Sequence, residues 1–118
     1  MASFGAYTRT GVRDFRFSTV VHDFGKRLLA DAAALAALGQ LLSENPQSDV
    51  LSERLQTCAH KLAGAAGVFN LPDISGKASS LEESVIEWRA GRGPGETVKT
   101  NLDALLRALD ANHGASRK

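Results

Sequence analysis

Apolar residues recur along this chain in four stretches, at the spacing of helices that bury one face. In the first stretch the intervals are three, four or seven residues, as one side of an α-helix requires. The apolar positions of that stretch are Val21, Phe24, Leu28, Leu35, Leu38 and Leu42. Those of the second are Leu51, Leu55, Cys58, Leu62, Ala65 and Phe69. Those of the third and fourth are Ile74, Ala78, Leu81, Val85 and Trp88, then Val98, Leu102, Leu105 and Leu109. No stretch alternates like a strand, so the pattern predicts an all-α fold.

Capping and helix-breaking residues set the predicted boundaries of these helices. Ser18 and Asp49 are candidate N-caps of the first and second helices, because their side chains can accept a backbone hydrogen bond. Pro46 ends the first helix, since the residue before a proline disfavours helical dihedral angles. Asn70 tolerates a positive φ and suits the end of the second helix, and Pro72 suits the first turn of the third.

Short connections between the helices predict an antiparallel, up-down-up-down four-helix bundle. The clearest loop is GRGPG at residues 91–95. The bundle is predicted to cover residues 18–111. Residues 1–17 are aperiodic and are predicted to form a tail or a short helix that covers one end of the bundle. Residues 112–118 are predicted to form a flexible tail.

Composition narrows the functional classes. With 118 residues, 43% of them hydrophobic, the chain can form one domain with one core, and we expect a monomer. The net charge of +1 gives no long-range field that favours nucleic acid or an anionic membrane. Cys58 is the single cysteine, which excludes an internal disulfide and suits a reducing cytoplasm. Apolar runs are far shorter than the roughly 20 residues of a membrane helix, and we see no secretory signal, so we expect a cytoplasmic protein.

The second predicted helix carries a histidine on its polar side. At about 100° per residue, Glu53, Gln56, Gly64 and Gly67 fall within roughly 40° of His60, and the apolar stripe lies opposite. His60 should therefore point into solvent. Glycine inside a helix costs up to about 1 kcal/mol relative to alanine, so the two glycines need a reason. Close packing of a neighbouring helix is one interpretation. Steric clearance for a large partner is the other, and it fits better because both glycines share the face of His60.

An exposed histidine with clearance around it suits few roles. A general base needs a carboxylate to orient it, and Glu53 lies two turns away, although another helix could supply one. A metal site needs more ligands, but Cys58 points to the opposite side of the helix, and His22 and His113 lack ligand spacing. A nucleophilic histidine that takes a group from a docked partner and passes it on is the remaining role.

Residues 59–69, AHKLAGAAGVF, together with Leu81-Glu82 one helix later, resemble the signature of the histidine-containing phosphotransfer (HPt) domain family. The resemblance implies a phosphorelay carrier whose phosphoacceptor is His60, with Gly64 opening space beside the imidazole. Two positions depart from the family. Ala63 stands where many members carry a lysine, so Lys61 is the candidate for neutralising the phosphate charge. Asn70 stands where many members carry a glycine.

The resemblance also implies the partners. They are response-regulator receiver domains, a hybrid histidine kinase, or both, and the receiver supplies the acceptor aspartate and Mg²⁺. We therefore expect no bound cofactor or metal, and a phosphocarrier without independent turnover rather than an enzyme. The expected docking residues are Gln56, Ala63, Gly67 and Val68, beside Lys61 and Gly64. For Gln56, a plain solvated helix face is an equally good interpretation.

Two other functions stay open. A docking module could bind a receiver domain or kinase without carrying phosphate, and the missing lysine at Ala63 gives this alternative some weight. An unrelated enzyme or metal-binding bundle would carry inward carboxylates and histidines, as in a Glu-x-x-His pair, and the sequence has no such pair.

Overall fold

The computed structural model describes the backbone of residues 14–116 and the side chains of residues 25–112. This range consists of four helices: α1 (Asp14–Glu44), α2 (Asp49–Val68), α3 (Pro72–Arg89) and α4 (Gly95–Ser116). The described part of the chain contains no strand, which confirms the predicted all-α class. Residues 1–13, which include most of the predicted N-terminal tail or capping helix, lie outside this range.

The helices form a closed antiparallel bundle. Residues 45–48, 69–71 and 90–94 connect them, and such short connections force consecutive helices to run in opposite directions. Each helix packs on the next one in the chain, and α1 also packs on α4 to close the ring. The α2–α3 contact is the most extensive of the four. The predicted up-down-up-down arrangement is confirmed.

One apolar core runs through the bundle, and every described helix contributes to it. Its buried residues are Leu28, Leu35, Leu42, Leu55, Ala59, Leu62, Ala66, Ile74, Ala78, Leu81, Val85, Val98, Leu102, Leu105, Ala108 and Leu109. The buried stripe of α2 differs from the predicted one. Ala59 and Ala66 are fully buried, whereas Cys58 and Ala65 are only partly covered, so at these positions the buried face is shifted by one residue, about 100° around the helix. Phe69 and Trp88, also expected in the core, pack at its edge.

Two predicted caps are wrong. Helix α1 begins at Asp14, so Ser18 lies within the helix. Ser48, not Asp49, caps α2: its hydroxyl oxygen accepts a hydrogen bond from the Leu51 amide at 3.2 Å. Asp49 is instead the first helical residue, where a negative charge favours the helix N-terminus. At the other end of the chain, α4 continues through Ser116 and so includes most of the segment predicted as a flexible tail.

The turn between α2 and α3 has the predicted chemistry. Asn70 adopts φ 57°, in the left-handed region, and Pro72 is the first residue of α3. The Leu71 amide donates to the Ala66 carbonyl at 2.8 Å and the Asn70 amide to the Gly67 carbonyl at 3.1 Å. This pair of bonds is the Schellman motif, which satisfies the last carbonyls of the helix. The turn therefore fixes how α3 returns along α2.

Candidate functional site

His60 projects from the middle of α2 into solvent. Its side chain is 73% exposed, although its neighbour Ala59 is fully buried. Their exposure differs because adjacent positions of a helix point about 100° apart. With Ala59 facing the core, His60 lies on the side of α2 that borders solvent. The predicted exposure of His60 is confirmed.

A carboxylate from the next helix orients the imidazole of His60. His60 Nδ1 lies 2.9 Å from Glu82 Oε2, and the Glu82 side chain is only 22% exposed. An ionised carboxylate can only accept hydrogen bonds, so Nδ1 carries the proton and donates it to Glu82. In the neutral ring the unshared electron pair is then on Nε2, on the far side of the ring from Nδ1. The pair with Glu82 therefore presents a nucleophilic nitrogen.

The role of Glu82 was not predicted from the sequence. The Leu81-Glu82 pair was part of the family resemblance, but the helix periodicity relates His60 only to carboxylates on its own helix, of which Glu53 is the one on the same face. Contact between His60 and Glu82 depends on the register of α2 against α3. The available signal for Glu82 was its position directly after Leu81, a core residue, which places Glu82 on the flank of α3 beside the core.

Three further hydrogen bonds join α2 to α3 on either side of His60. Towards the end of α2, the Ser75 hydroxyl donates to the Ala63 carbonyl at 2.8 Å. Towards its start, Arg89 donates from Nη1 to Gln56 Oε1 at 2.9 Å and from Nη2 to Asp49 Oδ1 at 2.8 Å. With the His60–Glu82 contact between them, these bonds hold the two helices in one register.

The two glycines of the histidine face differ in their surroundings. A Cβ atom built on Gly64 has no neighbour within 4 Å, whereas one built on Gly67 lies 3.6 Å from Ser75 Oγ. Nothing in the described chain packs against Gly64, so helix packing does not explain the glycine there. At Gly67 the added atom makes an ordinary van der Waals contact. The clearance interpretation is therefore best supported at Gly64, one turn after His60.

The other predicted site residues are spread around this centre. Lys61 is exposed, and Val68 is 81% exposed at the end of α2. Gln56 and Ala63 are partly buried towards α3, and both already bond to residues of that helix. Apart from Lys61, the surface of α2 after His60 thus consists of small or apolar, uncharged positions, whereas the surface before it is mostly polar and includes the ion pair between Asp49 and Arg89.

The described residues form neither a metal site nor a membrane-spanning helix. No three or more His, Cys, Asp or Glu side chains there are grouped so that they could hold a metal ion. None of the described helices combines the length and the apolar character that a membrane span requires.

Similarity to known proteins agrees with this geometry. Residues 27–114 match the sequence model of the family described as the Hpt domain. The chain is also 30% identical over 90 residues to ribonuclease VapC11 of Mycobacterium tuberculosis and to VapC ribonuclease Mb1587 of Mycobacterium bovis. These alignments cover 76% of this chain but 64% of each ribonuclease, so the chain spans less than two thirds of the length of these relatives. No solved structure matches the chain. The Hpt match extends over most of the chain and includes both His60 and Glu82, and the protein belongs to the Hpt domain family, whose members carry phosphoryl groups on histidine in two-component systems.

Proposed function

We propose that this protein is a phosphorelay carrier that accepts a phosphoryl group on His60 and exchanges it with the aspartate of response-regulator receiver domains. The observation that carries the proposal is the exposed imidazole of His60, whose Nδ1 is held 2.9 Å from the Glu82 carboxylate. Membership of the Hpt domain family supports the same chemistry.

The proposed transfer needs one nucleophilic atom from this chain. The electron pair of His60 Nε2 attacks the phosphorus of an aspartyl phosphate, and the bond between phosphorus and the aspartate oxygen breaks as the carboxylate leaves. The phosphorylated ring keeps its proton on Nδ1 and is positively charged, and the adjacent Glu82 carboxylate stabilises that charge. In the return reaction an aspartate oxygen attacks the phosphorus and the nitrogen–phosphorus bond breaks.

The partner contributes the remaining groups. Phosphoryl transfer depends mainly on positioning and on stabilising negative charge. In our proposal the receiver domain brings the Mg²⁺ ion and the aspartate, so this chain holds no cofactor of its own and turns over no free small substrate. A hybrid histidine kinase that contains a receiver domain would be an equivalent partner. We further propose that the carrier acts as a monomer in the cytoplasm.

Each of the predicted site residues near His60 has a place in this proposal. Gly64 leaves room for the approaching receiver domain, because no described atom beyond the adjoining residues and backbone of its own helix lies within 4 Å of a Cβ at that position. Lys61 offers a cation to the phosphoryl group. Val68, Gly67 and the neighbouring Ala63 form the uncharged side of the docking surface, and Gln56 lies on its polar side.

Phosphorylation with a small donor tests the proposal without any partner. Wild-type protein and the H60Q variant are incubated with phosphoramidate, and their intact masses are measured before and after acid and alkaline treatment. We expect one phosphoryl group on the wild type, labile in acid and stable in alkali, and none on H60Q. The phosphorylated protein is then mixed with receiver domains, which should remove the phosphoryl group.

The same experiment distinguishes the docking module. A wild type that stays unmodified with phosphoramidate and with a panel of phosphorylated receiver domains would refute the carrier function. Receiver binding that is equal for the wild type and H60Q, without transfer, would then favour a docking module.

A further inference from the structure

A second side chain on the histidine face of α2 is held in a defined orientation. Gln56 lies one helical turn before His60, about 40° around the helix from it. Its carbonyl oxygen Oε1 accepts a hydrogen bond from Arg89 Nη1 at 2.9 Å. The Gln56 side chain is therefore fixed against α3, next to the pair formed by His60 and Glu82.

The chemistry of arginine settles which way the Gln56 amide faces. A guanidinium group has five N–H donors and no acceptor, so only the oxygen of the amide can face Arg89. The Nε2 group with its two hydrogens must then point away from Arg89. Arg89 is itself anchored by Asp49 Oδ1 at 2.8 Å, and its side chain is only 27% exposed. The contact between Gln56 and Arg89 thus fixes the direction of the two N–H donors on Gln56 Nε2, on the histidine face of α2.

A phosphoryl group on His60 would need such a donor. Helical side chains lean towards the N-terminus of their helix, a direction that brings the imidazole of His60 towards the turn that contains Gln56. The carboxylates of Glu82 and, further away, Glu53 lie on the same side of the bundle and repel a phosphoryl group. Ala63, one turn later, offers no side-chain donor.

We propose that Gln56 Nε2 donates a hydrogen bond to the phosphoryl group carried by His60, and that Arg89 is the positioning residue that turns this amide towards it. The inference rests on the proposed carrier function and adds a residue that binds the transferred group. It assigns Gln56 to the phosphoryl group in addition to the docking surface.

The Q56E variant tests the role of this amide with little risk to the fold. A glutamate keeps the oxygen that accepts from Arg89 and has nearly the same shape, but it loses both donor hydrogens and adds a negative charge. Q56L loses the donors without adding that charge, so faster decay in both variants assigns the effect to the lost donors. Wild type, Q56E and Q56L are phosphorylated with phosphoramidate, and the decay of phosphohistidine is followed by intact mass. Because no partner is present, a docking role alone would leave the decay unchanged. We expect decay about threefold to tenfold faster in Q56E and Q56L, the range of one hydrogen bond's net contribution.

Two controls accompany the variants. Gln40, an exposed glutamine whose amide bonds to Glu44 on α1, provides the matched variant Q40L, which should decay like the wild type. In the wild type, the side-chain amide proton resonances of Gln56 should shift on phosphorylation, and those of Gln40 should not.

The R89K variant tests the positioning role of Arg89. It keeps the charge but lacks the guanidinium fork that reaches both Gln56 and Asp49. Its phosphohistidine should decay faster than that of the wild type, while the protein still unfolds in one cooperative transition.

The failures of the two proposals are distinguishable. If the wild type takes up no phosphoryl group, the carrier function is refuted and the role of Gln56 with it. If the wild type is phosphorylated but Q56E and Q56L decay at its rate, and the Gln56 amide resonances stay in place, only the role of Gln56 is refuted. Faster decay in K61A together with unchanged decay in Q56E and Q56L would refute the role of Gln56 and leave the phosphoryl contact to Lys61 alone.

Discussion

Replacing Gly64 by alanine should stabilise the protein and impair its function at the same time. Gly64 lies in the interior of α2 and is exposed, and a Cβ there meets nothing within 4 Å. The methyl group therefore fits the free protein without strain. Alanine exceeds glycine in helix propensity by up to about 1 kcal/mol, so the free energy of unfolding should rise by roughly 0.5–1 kcal/mol. In equilibrium urea unfolding, m-values of about 1–3 kcal/mol/M convert this into a midpoint shift of roughly 0.2–1 M.

The same methyl group would occupy the space that a receiver domain needs beside His60. Overpacking a tight contact typically costs about 1–3 kcal/mol, which corresponds to a fall in the transfer rate of roughly 5-fold to 150-fold. The assay measures transfer from a phosphorylated receiver domain in parallel with phosphorylation by phosphoramidate. Only the first reaction should slow, because a small donor needs no clearance from Gly64.

Gly76 provides the matched control. It lies in the interior of α3, is exposed, and likewise has no neighbour within 4 Å of an added Cβ, but it points about 120° around the helix from Glu82. G76A should show the same stabilisation and normal transfer from the receiver domain. The clearance interpretation is refuted if G64A accepts phosphate from the receiver as fast as G76A does. A loss of stability in G64A would instead contradict the open surroundings of the site.

Two further variants test the charges of the structure. E82Q, whose amide oxygen can still accept from His60 Nδ1 but carries no negative charge, should take up phosphoryl groups from phosphoramidate about threefold to tenfold more slowly, since a partly exposed charged hydrogen bond contributes on the order of 1 kcal/mol. The exposed neighbour Glu83 gives the control E83Q, and equal rates for E82Q and the wild type would exclude a role for the negative charge of Glu82. Burial raises the pKa of the Asp31 carboxyl above 3.8, and Arg27 only partly offsets this, so the ionised form is disfavoured in the folded state. D31N should therefore raise the free energy of unfolding at neutral pH by roughly a few tenths of a kcal/mol, because solvent screens the group. This gain should shrink as the pH falls through the raised pKa of Asp31 and disappear below about 3.8, whereas a gain that persists in acid would rule out burial of the charge as its cause.

The helices and their exposed faces could be predicted because they depend on local periodicity. Leu81 and Leu105 are fully buried as their spacing predicts, and His60 is exposed as its offset from the stripe predicts. The turn at Asn70 was also predictable, since few residues other than glycine tolerate a positive φ. These features require no knowledge of which helices touch.

The predictions that were wrong depend on choices between neighbouring residues or on packing. Ser48 and Asp49 are both good N-caps, and only the observed hydrogen bond from Leu51 decides between them. Ser18 is a good cap by type, yet α1 starts one turn earlier, at Asp14. On α2 the buried stripe is rotated towards Ala59, because close approach of α3 favours small side chains over larger apolar ones.

The part of the site that the sequence could not supply is the register between α2 and α3. The polar contacts around His60 described above join these two helices, through Ser75, Glu82 and Arg89. The Schellman turn at the end of α2 sets where α3 begins, and shifting α3 by one residue would move Glu82 about 100° around its helix, away from the imidazole. The core residues of α1 and α4 then serve the site indirectly. They cover the apolar faces of α2 and α3. Without this cover, the pair formed by α2 and α3 would not keep its register in water. The histidine motif on α2 is thus only half of the site, and the other half is the geometry that brings a carboxylate from the next helix to its ring.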